Sequence, residues 1–122
     1  MLFRSNVIGP MIQFQQQMRI FHWQTDAYAA HKAFGKIYGA MDDHIDAFVE
    51  TYMGKFGRAK PTITYRIELK SLTNPSVVDE VLDGFIEYLV SMDGENLSTD
   101  LLNIRDSMMG EVHTLKYLLT LK

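Results

Sequence analysis

Apolar residues recur every three or four positions along four stretches of the chain, the periodicity of amphipathic α-helices. From about residue 6 to residue 24 the apolar stripe consists of Val7, Met11, Phe14, Met18 and Phe21. From residue 31 to residue 52 it consists of His31, Phe34, Tyr38, Met41, Ile45, Phe48 and Tyr52. This sustained alternation is typical of helices that pack against other helices at a shallow angle.

Two more helices are predicted in the second half of the chain. The third presents Val78, Val81, Leu82, Phe85 and Leu89, and the fourth presents Leu101, Arg105, Met108, Val112, Leu115 and Leu119. Arg105 interrupts an apolar face, so it should pair with an acid or lie at the edge of that face. The expected N-caps are Asn6, Thr25 or Asp26, Ser76, and Ser98 or Thr99. The expected helix ends are at Gly54 and Gly57 and at Gly94.

A link from about residue 58 to residue 74 separates the second and third helices. Residues 62–69 alternate apolar and polar with a period of two, but no second strand is available to pair with them. We therefore expect an extended crossover. Its extended reach of roughly 55 Å exceeds the length of about 37 Å of a long helix. The sequence predicts one domain, residues 1–122, with an all-α, ferritin-like four-helix bundle and one long crossover between helices 2 and 3. Three-helix or irregular all-α packing is the alternative.

Composition removes several classes of function. The chain has no cysteine, which excludes disulfides, thiolate catalysis and cysteine-ligated metals. A net charge of −3 gives no general attraction to nucleic acid, so DNA binding is not expected. No apolar run is long enough to span a membrane or to act as a signal peptide. The expected location is the cytoplasm.

Residues 21–50 concentrate the side chains that could bind a metal. They contain His22, His31 and His44, and they place Asp42, Asp46 and Glu50 at four-residue intervals, on one stripe of a helix. Like charges so spaced repel by a few tenths of a kcal/mol per pair, so a cation or a basic partner should compensate them. Imidazole and carboxylate ligands suit iron, zinc or manganese. Each residue also has a structural interpretation, as a helix-capping or core histidine or as part of a solvated acidic face.

Two other features are open to more than one interpretation. Gly35 and Gly39 lie four residues apart within the second helix, where they allow another backbone to approach or are there by chance. His113 follows Glu111 by two residues, which is the wrong spacing for one helix face. The chain lacks the Glu-x-x-His pairs that di-iron bundles use.

The segment resembles the ferroxidase segment of Dps-type mini-ferritins. That family has His-Trp, a second histidine, and then Asp-His-x-Asp-x-x-x-Glu; here His22-Trp23, His31 and the run from Asp43 to Glu50 match it. The spacing from His31 to Asp46 also matches. The apolar pattern of the last helix is similar to that of the family's final helix.

The resemblance implies iron(II) oxidation by peroxide or oxygen and storage of ferric iron in an oligomeric shell, twelve subunits in that family. His22 and His31 would bind the metal from one subunit, and Asp46 and Glu50 from its two-fold neighbour, with Trp23 beside the site. No catalytic residue beyond these ligands is implied, and zinc or manganese could occupy the same ligands.

The chain departs from that family in two places. His22 and His31 are three residues closer together than in the family, and Gly35 stands where the family has an aspartate, between Lys32 and Lys36. No lysine-rich N-terminal arm is present, so DNA binding through such an arm is not carried over. The alternatives are a ferritin-like structural or assembly protein with a degenerate, non-catalytic metal site, and a small helical interaction module without metal.

Overall fold

Four α-helices form the regular structure of the described residues. The computed structural model describes residues 6–58 and 64–122. The helices are α1 (Gly9–Gln24), α2 (Tyr28–Phe56), α3 (Pro75–Ser91) and α4 (Thr99–Leu118), and a 3₁₀ turn, Met92–Gly94, follows α3. The described residues include no β-strand. The prediction of an all-α fold is therefore confirmed.

Each helix packs against two neighbours that run antiparallel to it. α1 and α4 both contact α2 and α3. Near the end of α3, the hydroxyl of Tyr88 donates to the carbonyl oxygen of Val7, just before α1, at 3.0 Å. Near the end of α2, Nζ of Lys55 lies 3.3 Å from a carboxylate oxygen of Asp100 at the start of α4. This arrangement is compatible with a four-helix bundle.

The predicted apolar stripes meet in one core. All five stripe residues of the first helix are buried, and the rings of Phe14 and Phe85 stack between α1 and α3 with centroids 3.9 Å apart. On α2 the stripe is buried except at His31 and Tyr38, which are half-buried. These two side chains lie at the edge of α2 that faces α1, because His31 bonds to the main chain of α1 and the carbonyl of Tyr38 bonds to Gln15.

Arg105 is buried within the α4 stripe and is paired with acids. Its guanidinium donates to the carbonyl oxygen of Leu89 at 2.7 Å, to Asp93 at 2.9 Å and to Asp106 at 2.7 Å. Burial lowers the pKa of the guanidinium, but the bonds to the two carboxylates outweigh this effect and raise the pKa. The expectation that this arginine pairs with an acid is confirmed.

Several helix ends differ from the predicted ones. α1 begins after Ile8, and α2 begins after Ala27 without a side-chain cap. α3 is capped by Asn74, whose side-chain oxygen accepts from the N–H of Ser76 at 3.0 Å. Pro75 takes the first helical position, where its missing N–H costs nothing, so the cap falls one residue before it. α2 ends at Gly57 as predicted, with φ +84°, whereas α3 ends at Ser91, before Gly94.

Residues 64–74 are not helical and lie alongside α1. Three glutamines of α1 bind their main chain in matching order: Gln13 binds Glu68, Gln17 binds Lys70, and Gln24 binds Leu72. The buried Gln17 both accepts from the N–H of Lys70 at 2.6 Å and donates to its carbonyl oxygen at 2.8 Å. The segment therefore runs parallel to α1. Residues 59–63, which also belong to the predicted crossover, lie outside the described residues.

None of the helices in the described ranges is long and apolar enough to cross a membrane.

Candidate metal site

The two histidines predicted as ligands from one subunit lie in contact. His22 is in the last turn of α1 and His31 in the first turn of α2, so the short connection between the helices brings them together. Their imidazole rings stack with centroids 3.9 Å apart and an interplanar angle of 17°. Both side chains are half-buried. The pair therefore occupies one end of the α1–α2 contact, partly open to solvent.

Each histidine is oriented by the backbone of the other. Nδ1 of His22 lies 2.7 Å from the carbonyl oxygen of His31, and Nδ1 of His31 lies 2.8 Å from the carbonyl oxygen of His22. Because a carbonyl oxygen only accepts, Nδ1 of each ring carries a proton in these bonds. In a neutral imidazole the lone pair is then on Nε2, the nitrogen left for a metal or for another donor.

Aromatic and cationic side chains surround the pair. The ring of Tyr38 meets the His22 ring edge-on at 5.3 Å, and the ring of Tyr28 lies 6.3 Å from that of His31. Arg19 lies over the Tyr38 ring at 4.7 Å, and Lys32 lies over the Tyr28 ring at 5.7 Å. These two cations thus stack on the aromatic neighbours of the imidazoles.

Gly35 lies directly beneath the His22 ring. A Cβ built on Gly35 would be 3.0 Å from both Cε1 and Nδ1 of that imidazole. At this position the Dps-type pattern has an aspartate, and here the imidazole occupies the space that its side chain would need. Of the two interpretations of these glycines, approach of another backbone is not seen among the described residues: a Cβ on Gly39 would meet nothing within 4 Å, and at Gly35 the approaching group is a side chain.

The two predicted acidic ligands are remote from the histidines of the same chain. Asp46 and Glu50 are exposed on α2. At a rise of 1.5 Å per residue, they lie about 22 Å and about 28 Å along α2 from His31. In the described part of the chain, no group of three or more histidines and acids is close enough to hold a metal ion. The four predicted ligands therefore do not meet within one chain.

Asp42, the third acid of the stripe, has a different partner. Its carboxylate accepts a hydrogen bond from the side chain of Gln15, which also donates to the carbonyl oxygen of Tyr38 at 3.0 Å. Gln15 is buried. This acid therefore fastens α1 to α2, which separates its role from that of Asp46 and Glu50.

The other two histidines lie apart from the histidine pair. His44 faces α4, with Nε2 3.6 Å from a carboxylate oxygen of Glu111. His113 is exposed, and Trp23 beside His22 is 64% exposed. A cavity of about 580 Å³, at the α1–α2 turn and the start of α3, is lined by neither His22 nor His31.

Sequence reasoning did not single out Gln15 or Tyr38 as neighbours of this site. The four-residue spacing from Tyr38 to Asp42 and the polar run at residues 15–17 were visible signals. Neither revealed which residue of α1 meets which residue of α2, because that depends on how the helices are aligned.

The fold and site define an all-helical protein with two stacked histidines where its first two helices meet. A family of unknown function (DUF5856) matches residues 22–119, and the chain belongs to that family. It is also 31% identical over 116 residues to an uncharacterized 14.6 kDa protein in the mobD-ri intergenic region of Enterobacteria phage T4, covering 94% of this chain and 86% of that protein. No solved structure matches the chain. The family match begins at His22 and includes His31, Asp46 and Glu50.

Proposed function

We propose that the protein is a Dps-like mini-ferritin that oxidises iron(II) and stores ferric iron in an oligomeric shell, with each metal site shared by two copies. The observation that carries this proposal is the reciprocal bonding of His22 and His31. It holds two imidazoles side by side with Nε2 of each left as the metal-binding atom. Iron is the substrate and the stored cargo in this proposal.

The course of the chain supports a ferritin-like bundle. α2 and α3 run in the same direction, because both are antiparallel to α1 and α4. A connection between two such helices has to return along the length of the bundle. Residues 64–74 run beside α1 in the direction that this return requires. A long crossover between the second and third helices is part of the proposal.

The distance between the histidines and the two acids supports a site between two copies. A two-fold axis across the α1–α2 face would bring the histidine end of one copy to the acidic end of the other. Asp46 and Glu50 would then face His22 and His31 of the neighbour. Such a site would also compensate the repulsion between the two exposed acids, which stand four residues apart.

These donors suit the chemistry. Two imidazoles and two carboxylates can hold iron(II) and leave positions open for an oxidant, either oxygen or peroxide. Zinc or manganese would bind the same donors. Zinc, which has no redox chemistry, can therefore be used to measure binding separately from oxidation.

The first test combines iron oxidation with metal binding. We expect wild-type protein to show iron(II)-dependent growth of ferric absorbance, and we expect His31→Ala and Glu50→Ala to lose it and also to lose zinc binding by calorimetry. His113→Ala and Glu87→Ala are matched controls, because both change exposed residues away from the site and should retain both properties. Equal oxidation by wild type and Glu50→Ala would contradict the proposal.

A mixing experiment tests whether the site is shared. Co-assembled His31→Ala and Glu50→Ala chains form mixed pairs in which one of the two sites has all its ligands, so about a quarter of the wild-type activity should return. Sites built within single chains would give no recovery on mixing. That result would exclude the two-copy arrangement.

A specific observation favours a second candidate, a ferritin-like structural or assembly protein with a degenerate metal site. The imidazole of His22 fills the space above Gly35. The chain therefore has no carboxylate at the position of the Dps-type aspartate, and it has no room for one there. This candidate predicts an oligomer whose mass, by light scattering, is unchanged by His31→Ala, together with no binding of iron(II) or zinc to wild type. A monomer without metal binding would instead indicate a small helical interaction module.

A further inference from the structure

A cavity of about 580 Å³ lies where α1 turns into α2, α3 begins and α4 ends. Its lining includes Thr25 from the α1–α2 turn, Asn74 before α3 and Leu119 after α4. This volume is within the range of about 300–1,000 Å³ that is typical of small-molecule pockets. Neither His22 nor His31 lines the cavity, so it is distinct from the candidate metal site.

Apolar side chains form the inner part of the lining. Phe34 and Val78 are 2% and 8% exposed and belong to the core, and the half-buried side chains of Ala30, Leu72 and Leu119 pack against that core. A hydrocarbon group placed against these side chains would leave water together with them, which is favourable in proportion to the apolar area that is covered. The inner part of the cavity therefore suits an alkyl or aryl group.

The outer part of the lining carries two negative charges. Asp26 and Asp79 both line the cavity and are both exposed. Neither carboxylate has a hydrogen-bond or ion-pair partner in the described chain. The described residues that line the cavity include no lysine, arginine or histidine. A cationic ligand group would therefore find two carboxylates and no competing cation.

The helix ends at the cavity do not reverse this charge. α2 and α3 begin there, and each helix N-terminus carries about half a positive elementary charge. α4 ends there, and its C-terminus carries about half a negative charge. The two full negative charges of Asp26 and Asp79 outweigh these partial charges. The cavity therefore favours a cation over an anion.

We propose that this cavity binds a small organic cation, an amine whose hydrocarbon body lies against Phe34 and Val78 and whose ammonium group pairs with Asp26 and Asp79. The inference concerns a different part of the chain from the histidine pair. It does not rest on the proposed function, and its test uses no metal.

A series of simple ligands tests both halves of the proposal. Hexylamine is the probe, and hexanol and hexanoate have the same hydrocarbon chain with a neutral and a negative head group. We expect hexylamine to bind about ten-fold more tightly than hexanol by calorimetry, and hexanoate to bind more weakly than either. In the series from butylamine to hexylamine, each added methylene should strengthen binding by up to about four-fold, because a buried methylene is worth about 0.8 kcal/mol.

Isosteric variants test the two carboxylates. Asp26→Asn and Asp79→Asn should each weaken hexylamine binding about three-fold, and the double variant about ten-fold, because each removes one exposed ion pair. Hexanol binding should be unchanged in all three variants. Glu87→Gln is the matched control, because it neutralises an exposed acid that does not line the cavity and should leave hexylamine binding as in wild type.

NMR of the backbone amides shows where the amine binds, and we expect the shifts to centre on Ala30, Asn74 and Val78. Shifts centred on Asp46 and Glu50 would instead place the amine on the exposed acids of α2 and overturn the inference. No detectable binding of hexylamine would overturn it as well. Equal binding of hexanoate and hexylamine would show that the helix N-termini outweigh the carboxylates. Affinity that does not change with chain length would show an ion pair at the surface and no use of the cavity.

Discussion

Gly35 allows the imidazole of His22 to lie directly on the backbone of α2. The ring is so close that a Cβ at this position would be 3.0 Å from two of its atoms. The His22 bond to the carbonyl oxygen of His31, at 2.7 Å, depends on that ring position. A glycine within a helix normally costs about 1 kcal/mol relative to alanine. At Gly35 this cost is offset by the position of the His22 ring, which the absence of a side chain permits.

Substitution of the two nearby glycines should separate these effects. Gly39 is exposed, with no atom within 4 Å of a Cβ, so we expect Gly39→Ala to raise the free energy of unfolding by about 1 kcal/mol. Gly35→Ala gains the same helix propensity but displaces the His22 ring and weakens its hydrogen bond, so we expect a net loss of about 1 kcal/mol. Urea unfolding measures both variants. Equal stabilisation by the two would mean that the ring moves aside freely.

At the same scale, the sequence identified His22 and His31 as a candidate pair but not how they contact each other. Their residue types and spacing suggested ligands from one subunit. The reciprocal bonds depend on the short α1–α2 turn, and on a glycine whose role appears only when the ring above it is located. Sequence spacing does not contain that information, because it shows which residues share one face of a helix but not how two helices are positioned relative to each other.

At the scale of the element, the polar residues of α1 determine where the link lies. Periodicity predicted the apolar stripes well, because burial is dictated by the 3.6-residue turn. It did not distinguish Gln13, Gln17 and Gln24 from other polar residues, and only the structure shows them bound to the link. The caps were predicted less well, since α2 begins after Ala27 without a side-chain cap, and Asn74 rather than Ser76 caps α3 because Pro75 takes the first helical position.

Removing the Gln17 side chain should loosen the link. Gln17 forms two hydrogen bonds to the main chain of Lys70, so Gln17→Met, which keeps the length of the side chain, should cost about 2 kcal/mol. We expect faster hydrogen exchange at the Lys70 amide, with exchange in α1 little changed. Gln16→Met is the matched control, because Gln16 is half-buried and bonds to no residue of the described chain through its side chain. Similar exchange at Lys70 in both variants would show that the glutamine does not hold the link.

At the scale of the whole molecule, bonds between the ends of elements complement the core. Tyr88 joins the end of α3 to the chain before α1, and Asp100 joins the start of α4 to Lys55 at the end of α2. The hydrogen bond from Ser98, aided by Lys55, lowers the pKa of the exposed Asp100 carboxyl. Each bond joins the end of one helix to the beginning of an antiparallel neighbour. The two bonds therefore help to fix how these helices are aligned along their length.

The Tyr88 bond predicts how stability changes at alkaline pH. Burial of the hydroxyl, with a smaller effect from Tyr52, raises the pKa of Tyr88 well above its ordinary value of 10.0. The folded protein therefore keeps this proton at pH values at which the unfolded chain loses it. The contribution of Tyr88 to the free energy of unfolding is fully present below about pH 10 and is lost as the pH rises further.

We expect Tyr88→Phe to cost about 1 kcal/mol at neutral pH and to flatten the fall in the free energy of unfolding between about pH 10 and pH 12. Tyr117→Phe changes a 63% exposed ring and should leave the wild-type slope. If Tyr88→Phe declined as steeply as wild type, the alkaline loss would have to come from other groups.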